Sequence, residues 1–177
     1  NLNAHIIAGF NDLNGFPHAD AAGFRYGLGV CPFVKVGSSV IFDPDYYTYP
    51  NFSDLISRAY RDGARISSDS WGSSTYGGYD TDSQEYDALV RDAQPTASAV
   101  PSNGNQEMTI VFAAGNKGPN AQTVGSPGTA KNVITVGAAE NVQAFGGSDA
   151  SGIGDTGANS AHDIISFSSR GPCTDGR

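Results

Sequence analysis

Cations are scarce in this sequence. Ten Lys and Arg stand against 18 Asp and Glu, a formal net charge of −8, so no basic groove for DNA or RNA can be assembled. Cysteine is scarcer still: Cys31 and Cys173 lie far apart and in no C-x-x-C or metal spacing, which excludes a disulfide scaffold and leaves either two isolated small apolar residues or one bridge. Long hydrophobic runs are missing as well. The longest, around Thr109 to Ala114, falls far short of the roughly 20 residues a membrane span needs, so no span is expected. Neither a basic start nor an apolar middle of a signal peptide follows Asn1, and the last residues, Ser169 to Arg177, stop in turn chemistry. Both ends therefore read as cuts in a longer polypeptide. What is present suffices for a folded core: 38% of the 177 residues are hydrophobic, with nine Phe, eight Tyr and one Trp. Gly reaches 23 residues, well above the usual share of about 7%, which points to tight turns and close backbone approaches. An extracellular, loop-rich α/β or β protein fits this composition.

Local patterning favours α/β. Phe33 to Val36 and Val40 to Phe42, interrupted by Gly37-Ser38-Ser39, read as a β run. Ser53 is suited to cap a helix whose Leu55, Ile56, Ala59 and Tyr60 share a face and which Gly63 would end. Ala64 to Ser68 reads as a short strand, and Asp82 or Ser83 starts a second helix through Tyr86, Leu89, Val90 and Ala93. Met108 to Phe112 and Val133 to Val136 complete the set as buried strands. That alternation implies a mostly parallel sheet with helices packed on it, in one domain or part of one. Gly146 to Ala161 has almost nothing to bury and reads as a surface excursion.

Ligands of open parallel sheets bind beyond the carboxyl ends of the strands, where loops converge. Two such ends carry small residues that leave backbone accessible: Ser70-Trp71-Gly72 after the strand at Ile66, and Ala113-Ala114-Gly115-Asn116 after the strand at Val111. A peptide laid along Ser70 to Gly72 as an added strand would bond through its main chain and drop a side chain between the two segments. Asn116, leaving a Gly turn, is either a simple β-turn residue or a donor aimed at a developing oxyanion.

Three blocks decide the matter by resemblance. Val111-Phe112-Ala113-Ala114-Gly115-Asn116-Lys117-Gly118-Pro119-Asn120, then Gly125-Ser126-Pro127-Gly128-Thr129-Ala130 through Ala138, then Phe167-Ser168-Ser169-Arg170-Gly171-Pro172, resemble the subtilisin-like serine proteases, the subtilases. Gly63 to Ile66 leading into Asp69-Ser70-Trp71-Gly72 looks most like the oxidation-stable alkaline subgroup. The resemblance implies a three-layer subtilisin-like fold, incomplete at both ends, with residues 1–177 as the central part of a peptidase domain. It implies that Asn116 is the oxyanion-hole donor. Ser70, Trp71 and Gly72 would form one wall of the primary specificity pocket, Ala113, Ala114 and Gly115 the other, and Gly125 its base, so that a large apolar side chain precedes the scissile bond. Tyr49 and Trp71 would line a more distal apolar subsite, and Ser126–Pro127 would be cis.

The Ser, His and Asp of the family's triad are not found in the chain. Aligning Ala8-Gly9 with the end of the family's histidine motif places the catalytic His two residues before Asn1. His5 then falls on a variable position, and Ser126 and Ser168 lie inside structural blocks. No Gly-x-Ser-x-Gly elbow exists. The expected function is therefore that of a segment of a secreted serine endopeptidase, inactive alone, whose partners are a polypeptide substrate and the remainder of its own domain. The chemistry requires no cofactor. Structural calcium is carried over from the family, with Asp149, Asp155 and Asp163, or Asp43 and Asp45, as oxygen donors or as ordinary turn residues. His18 and His162 read as solvated loop residues. The departures Asn1 and Asn3 from the motif support an alternative, a non-catalytic peptide-binding pseudoprotease, and the acidic, Gly-rich composition alone supports an extracellular structural module.

Overall fold

A computed structural model of the chain describes residues 2–140, 160 and 162–177. Two compact units divide it, one holding Asn1–Val40 and the other the described residues from Ile41 onward. The first contains the helix α1 (Leu2–Ala8), none of whose side chains is buried. Its backbone is tied to the segment after it: the amides of Val30 and Cys31 donate to the carbonyls of Ile6 and Ile7 at 3.0 and 2.7 Å. The rings of Phe10 and Phe33 meet at 5.8 Å.

The β run expected over Phe33 to Phe42 does not form. Phe33, Val36 and Val40 are exposed, and only Phe42 pairs, as an isolated bridge to Tyr47. A β-prone run needs a neighbour to take its hydrogen bonds and cover its side chains. Among the described residues nothing offers a ladder here.

The second unit carries the rest of the secondary structure. Helix α2 (Phe52–Arg61) begins at Asn51, whose side chain accepts the Asp54 amide, rather than at Ser53. Ser53 sends both its amide and its hydroxyl to Glu85 Oε1 (3.2 and 3.1 Å), which fastens α2 to the next helix. Strand β1 (Ile66–Asp69) follows, then helix α3 (Thr81–Arg91) with Asp80 as its N-cap, then β2 (Thr109–Ala113) and β3 (Ile134–Val136). The sheet is parallel throughout in the order β1-β2-β3, with Ile66 beside Thr109, Asp69 beside Phe112, and Val111 beside Ile134.

One cluster of apolar side chains holds these layers together: Phe52 and Ile56 from α2, Tyr86 and Leu89 from α3, Met108, Ile110 and Phe112 from the second strand and its approach, with Trp71 packed against it. The helical spacing of Phe52 and Ile56, and of Tyr86 and Leu89, turns both onto the sheet. Parallel neighbours need a long return connection. For β1 and β2 it contains α3; for β2 and β3 it is the irregular segment 114–133, and this segment shapes the site.

Candidate active-site cleft

The segments leaving β1 and β2 at their carboxyl ends enclose a cleft of about 350 Å³. Ser70, Trp71 and Gly72 line one side, Ala113, Ala114, Gly115 and Asn116 the other, and Gly125 and Ser126 the part between. Eight of the nine residues singled out in the sequence thus meet in one place. Tyr49 does not line it. The residue is 85% exposed, and its ring stacks edge-on to Tyr47 at 4.9 Å, with Tyr47 in turn 6.4 Å from Trp71.

Close backbone approach explains the glycines of the two walls. The amides of Ser73 and Ser126 donate to each other's carbonyls at 2.8 and 3.0 Å, an antiparallel bridge that joins the segment after β1 to the segment after β2. A Cβ on Gly72 would stand 2.6 Å from the Ser126 carbonyl oxygen, and one on Gly125 would stand 2.5 Å from that of Ser73. Neither position admits a side chain without separating the walls. The Ser126–Pro127 bond is cis, as expected.

Beneath the bridge lies a polar knot. The Ser126 hydroxyl donates to Asp80 Oδ1, the carboxylate oxygen that also accepts the Ser83 amide and so caps α3. Ser83 Oγ meets Ser126 Oγ at 3.0 Å and Thr129 Oγ1 at 2.8 Å, and Thr129 donates to the Gly78 carbonyl at 2.9 Å. Ser83, Ser126 and Thr129 are almost wholly buried, so each hydroxyl needs these partners. Burial pushes the Asp80 carboxyl up, but the hydrogen bonds from Ser126 and Ser83 outweigh it and hold it below the usual carboxylate range. With its proton given to Asp80, the Ser126 hydroxyl fastens the cleft floor to the start of α3. Ser168 is likewise buried, its Oγ accepting the Ala138 amide at 3.0 Å.

Asn116 stands exposed at the rim, in a turn fixed from both sides. Gly115 before it has φ +106°, a left-handed conformation that suits glycine. Its carbonyl accepts the Ser169 amide at 2.9 Å, and Ser169 Oγ accepts the amide of Lys117, on the other side of Asn116, at 3.1 Å. The Phe167 to Pro172 block thus braces the turn. The hydroxyl knot and the Ser169 brace escaped the sequence reading, because the segments they join lie 43 to 54 residues apart. Locally the sequence offered Asp82 or Ser83 as the start of α3, and the cap is Asp80.

Wall, floor and rim are therefore assembled from blocks whose order along the chain matches one family. Its profile, described as the subtilase family, matches residues 1–177. This chain belongs to the subtilase family. Over 96 residues it is 37% identical to the serine protease AprX of Bacillus subtilis (strain 168), a match covering 54% of this chain and 19% of that protein. Among solved structures, sphericase overlaps 84% of this chain and 39% of its own at 26% identity, with a TM-score of 0.47. The chain thus spans less than half the length of either relative.

In this subtilase chain no His, Cys, Asp or Glu is among the described residues that line the cleft. His5 is exposed on α1, and His18 lies in a turn whose carbonyl accepts from Asn11 Nδ2 at 3.0 Å. No three His, Cys, Asp or Glu side chains stand close enough together among the described residues to hold a metal ion. Asp43 and Asp163 sit in turns, their amides donating to Tyr46 and Ser160 carbonyls, while Asp149 and Asp155 lie outside the described residues. Cys31 and Cys173 are both free thiols. Among the described residues no helix is long and apolar enough to cross a membrane.

Proposed function

We propose that this chain is the substrate-holding segment of a secreted serine endopeptidase, closest to the oxidation-stable alkaline subtilases. Peptide would lie along Ser70 to Gly72 as an added strand, its side chain before the scissile bond entering between that wall and Ala113 to Gly115. Gly125 leaves the base of the cleft open to a large apolar group. Asn116 would donate its side-chain amide to the carbonyl oxygen as that oxygen gains charge, a bond stronger in the tetrahedral state than in the substrate. The nucleophile and base come from outside this chain, so the segment alone does not hydrolyse peptides. Support for this reading comes chiefly from one observation, the convergence of both walls, Gly125 and Asn116 on a single cleft of about 350 Å³.

Fluorophosphonate labelling of the protein in its native source, followed by intact mass analysis, tests it. Label on a longer species that contains this 18.3 kDa chain is the expected result. Label on the 18.3 kDa chain itself would place the nucleophile inside it and overturn the account of the triad. A folded longer form that takes no label would mean a cleft kept for binding without hydrolysis.

A further inference from the structure

Trp71 is held in two different ways. Its faces and edges pack against apolar rings, with Phe52 stacked at 5.1 Å and the rings of Phe112 and Tyr86 meeting it edge-on at 5.5 and 6.0 Å. Such contacts fix the plane of the indole. Its N–H edge has one polar tether among the described residues, Asp69 Oδ1, at 3.2 Å. The other oxygen of that carboxylate accepts the Ser67 hydroxyl at 2.7 Å. Ser67, Asp69 and Trp71 alternate along and just beyond β1, so all three project to the helix-covered side of the sheet, while Trp71 also lines the cleft.

Among the described residues no cation acts on Asp69 to keep it charged. Its partner across the β1–β2 pair is Phe112, and β2 carries no titratable side chain. From α3 comes Tyr86, with Asp82 and Glu85 on the same helix, all neutral or negative. Helix α2 turns Phe52 to the indole, and neither its Asp54 nor its Arg58 and Arg61 is among the groups that act on Asp69. Burial pushes the Asp69 carboxyl above the usual carboxylate range, while the hydrogen bonds from Ser67 and Trp71 oppose that rise.

We propose that Asp69 is the positioning residue of the Trp71 wall, and that loss of its charge loosens this wall so that the cleft holds apolar peptide side chains less tightly on acidification. The second half of the proposal rests on the peptide-binding reading above; the first half does not. An ionised carboxylate makes a charge-assisted bond to the indole N–H, about twice as strong as the bond a neutral carboxyl makes. After protonation the new O–H must also find an acceptor, and the Ser67 hydroxyl is the one at hand.

The full-length protein labelled with 5-fluorotryptophan supplies the test, the Trp71 resonance being assigned by its loss in Trp71→Phe. In the parent protein that resonance should move in one step, with a midpoint above the ordinary carboxylate value. Over the same step a tetrapeptide ending in Phe should bind roughly five-fold more weakly on the acid side. Asp69→Asn keeps an oxygen for the indole but cannot ionise, so both resonance and affinity should become flat. Asp69→Leu removes the acceptor and should shift the resonance at every pH. A parent resonance that does not move, or an Asp69→Asn protein that titrates like the parent, overturns the positioning role. A moving resonance with unchanged affinity overturns the link to peptide capture. A moving resonance with no peptide binding at any pH upholds the tether and counts against the peptidase reading instead.

Discussion

Asn116 owes its place to neighbours that hold the backbone on either side of it. Ser169 takes the Lys117 amide on its hydroxyl and gives its own amide to the Gly115 carbonyl, so the turn has little freedom to tilt the Asn side chain away from the cleft. Replacing Asn116 by Ala should therefore leave the fold intact and remove only the donor. On the oxyanion role proposed above, kcat of the full-length protein is expected to fall by about 10²–10³-fold with KM nearly unchanged, because the bond lost would be one that strengthens in the transition state. Steady-state kinetics on a peptide with Phe before the scissile bond would check this. A rise in KM at constant kcat would assign Asn116 to ground-state binding instead. The residues of the two walls were legible in the sequence because each wall is a contiguous run, from Ser70 to Gly72 and from Ala113 to Asn116. The parts that hold the runs together, Ser83, Ser126 and Thr129, were not, since a buried hydroxyl cannot announce which distant hydroxyl it will meet.

At the scale of elements, α3 links the core to the cleft. Asp80 caps its first turn and receives the Ser126 hydroxyl, so one carboxylate supports both the helix and the cleft floor. Asp80→Ala is expected to cost about 1–2 kcal/mol by loss of the cap alone, measured by urea unfolding at neutral pH. The pH dependence has a fixed sign. Hydrogen bonds hold the Asp80 carboxyl below its ordinary value, so its contribution is full above that value and is lost as pH falls through the lower, folded-state value. The Asp80→Ala protein should accordingly lose less stability than the parent over that acid window, and equal losses would show that Asp80 does not titrate there. Helical and strand periodicities announced α2, α3 and the three strands, with Asn51 capping where Ser53 was expected and Asp80 where Asp82 or Ser83 was; β3, expected to be buried, instead leaves Ile134 and Val136 exposed, since among the described residues no helix packs on it. The run from Phe33 to Phe42 misled because strand propensity describes how a side chain fits a sheet, and whether a sheet lies alongside is not written in the run itself.

In the molecule taken whole, the apolar core and the cleft are closed by contacts of similar reach, Ile66 and Thr109 of the β1–β2 ladder lying 43 residues apart, but of different kind. Helix α2 and the turn after it fold on local hydrogen bonds, such as that of the Ala64 amide to the Ala59 carbonyl at 2.9 Å. The cleft is closed instead by pairs far apart in sequence: Ser126 with Asp80, 46 residues away, and Lys117 with Ser169, 52 residues away. Core pairings of the same reach are backed by buried side chains such as Ile110 and Phe112, whereas the cleft pairs rest on a few hydrogen bonds, some from exposed residues such as Ser73 and Lys117, so the cleft should open more readily. Native-state hydrogen exchange should then show the amides of Ser73, Ser126 and Lys117 exchanging through smaller openings than those of Ile110 and Phe112 in β2. Equal protection across both sets would mean that core and cleft open as a single unit. The irregular return between β2 and β3 has a temporal meaning under this view. On the peptide-binding reading proposed above, a chain that has condensed its aromatic core would still possess no place to grip a peptide, its own neighbours on the ribosome included, until the segment around Ser169 has come home.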